Sequence, residues 1–475
     1  MSQPLPRVAI LGAGPAGLGA AWRLRDANRA AVTVLEQHSG PGGNAGSFEF
    51  AGLSVDYGSH RLHPASDPKI LADLRELLGD DLLDRPRHGR IRLRGRWIHF
   101  PLKPVDLMLR LDPGFAIGSA VDAVTKPLRG APAHDTFAAV LRTNLGPTIC
   151  DHFYFPYARK IWGRDPDELS GIQARRRVGA GSVGKLIRKV LAQLPGLKKP
   201  GTGRFYYPRG GFGQISQAIA DRAANLGAEI RYGRKVTSLE APTANRPQWI
   251  VGTTGAAGDE TLEADHLWST LPIPLIARIA NGVSTEPARE AAAKLSYRSM
   301  ILVYLELPVD QYTEFDAHYF PGADVKITRL SEPKNYAARR EPVGRTVLCA
   351  ELPGAPTDPW WTMSDPELAD LVADDLARSG IPLPARPTAV TVRRLPQAYP
   401  IYTIGYEEPF QALDRWAESL PAFLSFGRQG LFAHDNTHHA LAMAYAAAEC
   451  LEPGGFNRDR WAGYRAIFET HVVED

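Results

Sequence analysis

Val8-Ala9-Ile10-Leu11 runs directly into Gly12-Ala13-Gly14-Pro15-Ala16-Gly17, and Val32-Thr33-Val34-Leu35 then ends on Glu36. An apolar run bounded by glycine is the signature of a buried parallel strand, and residues 15–27 have the pattern of the helix that follows it. Each glycine has a separate task. Gly12 makes the tight turn, Gly14 lets backbone approach a pyrophosphate, and Gly17 lets the helix pack close to the strand. The pyrophosphate is expected at the helix N-terminus, where unpaired N–H groups and the helix dipole favour negative charge. Glu36, ending the second strand, is placed to accept hydrogen bonds from an adenosine ribose, and a carboxylate there argues against a 2′-phosphate and hence against NADP. Strand, turn, helix, strand and acid in register predict a doubly wound, Rossmann-like α/β unit that binds a dinucleotide.

A single such unit does not account for 475 residues of ordinary globular composition, with 44% apolar and 23% charged residues, which suffice for two to three domains. A formal net charge of +3 gives no reason to expect nucleic-acid binding. No run reaches the ~20 apolar residues of a membrane span, and the fingerprint begins too early for a signal peptide to precede it. A cytoplasmic location is therefore expected. Cys150, Cys349 and Cys450 lie far apart without metal-ligand spacing, as buried thiols in a reducing compartment would.

Along the chain, Arg90-Ile91-Arg92-Leu93-Arg94-Gly95-Arg96-Trp97 alternates as a hairpin turning at or near Gly95, with arginines on one solvated face. Residues 103–200 are mostly helical and interrupted by prolines. Ser182 to Leu194 is amphipathic and basic, which suits an ordinary surface helix or a peripheral contact with an anionic membrane. Short strands return at 229–232, 235–239, 249–253 and 266–270. β-branched runs dominate 296–352, a further strand is expected at 392–395, and an alanine-rich helix at 436–451. The expected organisation is a nucleotide-binding domain from 1–102, 201–279 and 400–475, a helical insertion at 103–200, and an antiparallel-sheet substrate domain at 280–399.

Flavin enters through the second glycine cluster. Gly40-Pro41-Gly42-Gly43-Asn44-Ala45-Gly46 follows Glu36 closely, and Val55-Asp56-Tyr57-Gly58-Ser59-His60 comes next. Here the chain resembles the clan of FAD-dependent amine oxidases, protoporphyrinogen oxidases and UDP-galactopyranose mutases, in which such a glycine pair lies along the pyrophosphate and ribityl chain. Tyr207-Pro208-Arg209-Gly210-Gly211-Phe212-Gly213, Lys235-Val236-Thr237-Ser238-Leu239, Trp268-Ser269-Thr270-Leu271-Pro272 and Gly427-Arg428-Gln429-Gly430 with Asn436 are similar to later motifs of that clan, in its order. The resemblance implies bound FAD, contacted by Gly12, Gly14, Gly17, Glu36, Gly42, Gly43, Asn44, Gly58, Val236, Gly427, Arg428 and Asn436. The helix that Asn436 opens would face the flavin N1–O2 edge and stabilise the reduced anion. Cys450 falls inside the last helix rather than in a loop, so a non-covalent flavin is expected, and no metal site is.

Two chemistries remain open. The clan's redox members transfer a hydride to flavin N5, whereas its mutases use reduced flavin as a nucleophile on a sugar. Toward the mutases, His60 resembles their flavin-facing histidine, and Arg177, in Ala174-Arg175-Arg176-Arg177-Val178, resembles a substrate-side arginine. Arg329, Tyr336 and Tyr399 match further substrate-side positions. Against them, the loop after Gly427-Arg428 carries Ala433 and His434 where the mutases have a second diphosphate-binding arginine and then a tyrosine. A buried diphosphate facing fewer cations binds less well. An FAD-dependent oxidoreductase acting on a small oxygen-rich molecule is therefore favoured, with the mutase-type isomerase as alternative. Plainer readings stand beside these roles. His60 can be a packed histidine, Arg177 a surface residue, Arg329 a structural partner of Glu332, and Tyr399 and Tyr402 simple packing. His438-His439 lacks an acidic or cysteine partner nearby.

Overall fold

A computed structural model describes residues 4–101, 106, 109–178 and 203–473. The amphipathic run 182–194 lies outside them. Strand Arg7–Leu11 lies between Ala31–Leu35 and His266–Ser269, with Phe423–Ser425 and Glu229–Arg231 at the edges, and all five strands run parallel. Side chains alternate along the central strand. Val8 and Ile10 join the core beneath helices Pro15–Asp26, Gln214–Asn225 and Thr437–Cys450. Ala9 and Leu11 join the core beneath Ile273–Ile279, Glu286–Lys294 and Glu407–Ser419. Such two-faced burial is why these strands read as continuous apolar runs. Small residues bring two helices together: a Cβ on Gly19 would stand 3.0 Å from Ala444 Cβ. The alanine-rich helix thus closes directly onto the fingerprint helix.

A seven-stranded sheet forms the second layer, in the order Ala389–Pro400, Tyr297–Leu307, Thr346–Gly354, Arg329–Ser331, Ala317–Tyr319, Gly89–Leu93, Arg96–Phe100. Ile301, Val303, Leu305 and Leu307 pack on helix Asp365–Arg378, while Met300, Leu302 and Tyr304 turn toward Leu53 and Val55 of the first unit. Two expectations are corrected here. The hairpin 89–100, assigned by position to the nucleotide unit, extends this sheet, and its junction with Ala317–Tyr319 is parallel, so the sheet is not antiparallel throughout. A partner more than 200 residues away leaves no trace in local periodicity. The turn itself is as expected, with Arg94 (φ 50°) and Gly95 (φ 78°) both in the left-handed region that a two-residue hairpin requires. Its arginines are less solvated than expected: Arg90 lies 4.2 Å over the Trp97 ring and Arg92 pairs with Asp324.

Helices Pro113–Thr125, Phe137–Leu145, Phe155–Trp162 and Gly171–Val178 surround a small core that includes Phe137, Leu141, Phe155 and Trp162. Among the described residues no helix is long and apolar enough to cross a membrane. The three cysteines are buried and free.

Candidate active site

Two glycine loops meet at the start of the first helix. A Cβ on Gly17 would lie 2.0 Å from the Gly12 carbonyl oxygen, so strand, turn and helix can pack this closely only with glycine there. Gly42, at φ 122°, donates its N–H to the Ala13 carbonyl at 2.8 Å, and a Cβ on Gly43 would stand 3.5 Å from Gly14 Cα. The two loops therefore form one bare backbone cradle, beside which Asn44 is half-buried. Gly14 begins the helix with no side-chain cap and Pro15 supplies no N–H, which leaves the remaining first-turn donors for an anion. Buried Glu36 accepts from Ala13 N and His38 N, both at 2.9 Å, and its remaining lone pairs suit ribose hydroxyls. Val236 lies where its strand slips register. Gly427 comes in from the far end of the chain: a Cβ there would meet Ala16 Cβ at 2.8 Å. Asn436 caps the alanine-rich helix through a reciprocal box with His439. These residues fit an extended dinucleotide such as FAD.

Asp56 ties the cradle to the second layer. Its carboxylate accepts from Ser47 Oγ and the Tyr207 hydroxyl at 2.6 Å and from Phe212 N at 2.8 Å, while its carbonyl accepts from the Tyr304 hydroxyl at 2.6 Å. Burial still pushes its pKa up to about 6. Phe212, anchored this way, stacks on His60 with ring centres 5.2 Å apart. His60 Nδ1 is buried with no hydrogen-bond partner among the described residues. Burial, then Arg329 and Arg428, lower the pKa of His60 to about 3, so its ring is neutral.

Two arginines, Arg329 and Arg428, act on His60. The expected alternative partner of Arg329, Glu332, is occupied elsewhere by Tyr312 N, Thr313 N and Thr346 Oγ1. Arg329 instead makes a fork to both oxygens of Glu351 at 2.8 Å, directly across the strand pair. Burial disfavours its charge, but Glu351 and neighbouring tyrosines outweigh that and raise its pKa. Glu351 also accepts Ser59 N at 2.8 Å, which holds the His60 loop against the sheet. Arg61 donates to Tyr319 (2.9 Å), Tyr336 (3.1 Å) and Asp316 (3.2 Å), and Tyr336 also bonds Ser59 Oγ.

The triple-arginine run divides by role. Arg175 pairs with Asp135 at the surface and Arg176 reaches the Tyr402 hydroxyl, whereas Arg177 lies 5.2 Å over Trp162 and 5.0 Å over Tyr399. Arg428, expected at the cofactor, also sits on Tyr399, at 4.7 Å, and donates to the Ala398 carbonyl. Neither Arg177 nor Arg428 forms an ion pair among the described residues; Arg428 bonds Tyr399 and feels the Asp435 carboxylate only from further away. Tyr402 is buried and donates to the Phe432 carbonyl. His434 wedges between Trp162, Tyr399 and Tyr402.

Sequence reasoning missed Arg61, Asp316 and Glu351. Glu351 carried a usable signal, a lone acid in the apolar run Val347-Leu348-Cys349-Ala350-Glu351-Leu352. Asp316 carried none. The statement that His438-His439 lacks an acidic partner is also corrected, because the fold brings Asp435 and, from the C-terminal segment, His471 against His439.

The comparisons agree with this geometry. Residues 15–449 match the family described as flavin containing amine oxidoreductase, and the chain belongs to that family. Curated relatives include a phytoene dehydrogenase of Streptomyces griseus, 28% identical over 276 residues that make up 50% of each chain. A protoporphyrinogen oxidase of Arabidopsis thaliana is 22% identical over 89% of each. The chain thus spans half of the first of these, and 34% of a mitochondrial protoporphyrinogen oxidase of Nicotiana tabacum. Among solved structures, a reduced UDP-galactopyranose mutase superposes with a TM-score of 0.80 at 22% identity, covering 99% of this chain and all of that one. A protoporphyrinogen oxidase from Exiguobacterium gives 0.71 at 20%, covering 94% and 98%. The family implies a flavin cofactor.

Proposed function

We propose that this protein is an FAD-dependent oxidoreductase that binds FAD without a covalent link and accepts a hydride from a small molecule bearing an anionic group. The observation that carries this reading is the pair Arg177 and Arg428 on Tyr399, two half-buried guanidiniums with no ion-paired carboxylate among the described residues, Asp435 reaching Arg428 only from beyond ion-pair distance. Uncompensated buried cations are costly unless a ligand supplies the opposite charge. Bound FAD supplies the hydride acceptor. The chain's own residues position and desolvate: His60, neutral and fixed by Phe212, presents an uncharged ring, while the Arg329–Glu351 fork holds the loop behind it. Tyr336 and Arg61 supply fixed donors on the substrate side. Cys450 is buried in its helix with its thiol pKa pushed up to about 11 by burial, which argues against a cysteinyl link. The membership of the family and the phytoene dehydrogenase and protoporphyrinogen oxidase relatives support redox chemistry.

Mutase-type isomerisation is the second reading, favoured by the superposition on UDP-galactopyranose mutase and by arginines suited to a diphosphate. One experiment separates them. Oxidised holoprotein is mixed anaerobically with panels of carboxylates, phosphates and nucleotide sugars while the flavin's visible absorption is followed. Bleaching by a substrate is expected, with Arg177→Ala requiring at least about tenfold more substrate at unchanged flavin content. Arg175→Ala should behave as wild type. Turnover only after prior chemical reduction, with no acceptor consumed, would replace the oxidoreductase reading by the isomerase.

A further inference from the structure

A second polar group lies beside the Tyr399 chamber. Asp435 precedes the Asn436 cap of helix Thr437–Cys450, His439 is in the first turn of that helix, and His471 comes from the segment after helix Arg458–Phe468. Asp435 Oδ2 is 3.3 Å from His471 Nδ1, Asp435 Oδ1 is 3.8 Å from His439 Nδ1, and the three candidate ligand atoms all lie within 4.8 Å of one another. In a tetrahedral zinc site with bonds near 2.0 to 2.1 Å, neighbouring ligand atoms are about 3.3 Å apart. The Asp435 Oδ2–His471 spacing matches that edge, while His439 Nδ1 faces the other carboxylate oxygen and must draw closer to share the ion. The imidazole of His471 stacks on that of His439 at 4.1 Å, and its segment is held, not frayed, because Val473 N donates to the Arg176 carbonyl at 2.9 Å. Side-chain exposures of 13% and 14% for the two histidines, against 5% for Asp435, leave one side open to an incoming ion.

We infer that Asp435, His439 and His471 form a binding site for a divalent first-row transition ion of the zinc class, with a fourth position open. Two imidazoles and one carboxylate favour such ions over magnesium or calcium, which take all-oxygen shells. His439 is half-buried in the first turn of its helix. Its Nδ1 accepts only a long 3.3 Å bond from Asn436 N, which an ion would displace. Other groups face the cluster. His438 and His63 lie beside His439, and the positive fields of Arg176 and Arg428 reach Asp435. The helix N-terminus also disfavours a cation, by up to about thirtyfold in affinity at a partly buried site. The Asp435 charge opposes all of these.

Full-length holoprotein without a histidine tag is stripped with chelator and titrated with Zn²⁺, by calorimetry and by elemental analysis after gel filtration. One retained equivalent and a zinc-dependent rise in Tm are expected in wild type and in the control His134→Ala, whose histidine is exposed elsewhere. His471→Ala and Asp435→Asn should each weaken zinc binding at least about tenfold with flavin content unchanged. Retention of less than a tenth of an equivalent by wild type, or unchanged zinc affinity in both variants, would overturn the site. His471→Ala is the decisive variant, since its residue lies in the terminal segment.

Discussion

Removal of Glu351 should be the most destructive single change near the site. Its carboxylate is 5% exposed and carries the two-pronged bond from Arg329 and the bond from Ser59 N. Truncation to alanine leaves a guanidinium that cannot lose its proton, a loss of about 3 to 5 kcal/mol. It also leaves an orphaned backbone donor, worth about 1 to 3 kcal/mol more. Arg329→Ala leaves a carboxylate that can neutralise itself by taking up a proton and still accepts Ser59 N, so it should be milder by about 1 to 3 kcal/mol. In the double variant no buried charge stands alone, and the coupling between the two changes should exceed about 2 kcal/mol. The assay is urea unfolding of the four proteins, followed by far-ultraviolet circular dichroism and by flavin release. Arg329→Ala costing more than Glu351→Ala, or a coupling below about 1 kcal/mol, would refute the reasoning.

Gly17→Ala should yield protein without flavin colour, because its Cβ falls 2.0 Å from a backbone oxygen, while Gly40→Ala, with open space around it, should keep a full complement; absorption ratios measure both. Acid should destabilise the fold. His60, His318 and His438 are held neutral, with pKa values lowered by burial to about 3, 3 and 4, so the stability they contribute is present above their unfolded value near 6.5 and is lost as pH falls below it. From about pH 6.5 to 5 each loses about 2 kcal/mol, against about 1 kcal/mol gained as Asp56 protonates below about 6. A Tm at pH 5 equal to that at pH 7 would contradict this.

Much of the cofactor cradle was legible because its constraints are local. Gly17 and Gly42 are dictated by contacts within a few residues and Gly12 by its own φ of 99°, and strands such as Arg7–Leu11 announce burial on both faces by their apolar runs. Further strands of the parallel sheet, such as His266–Ser269, were visible as short segments, but their order in the sheet is set only in the fold. The substrate side was less legible. Arg329 selects Glu351 over Glu332 through sheet register, and register across strands is not encoded in spacing along one of them. Likewise nothing near the hairpin 89–100 shows that its edge pairs with Ala317–Tyr319. Asp316, Glu351 and His471 acquire their partners only when distant segments are brought together.

The order of strands in the parallel sheet bears on how the protein is made. Ala31–Leu35 leaves the ribosome early, yet Phe423–Ser425, which closes the other edge, is synthesised about 390 residues later. At about 5 to 20 residues per second, that interval is about 20 to 80 s. The two central strands have bare edges until Glu229–Arg231 and His266–Ser269 are made, His266–Ser269 then keeps one until residue 423, and the first helix lacks the alanine-rich helix throughout. Nascent chains therefore pass through a long window in which they depend on holding factors, and truncation products ending before residue 423 should accumulate as colourless aggregates.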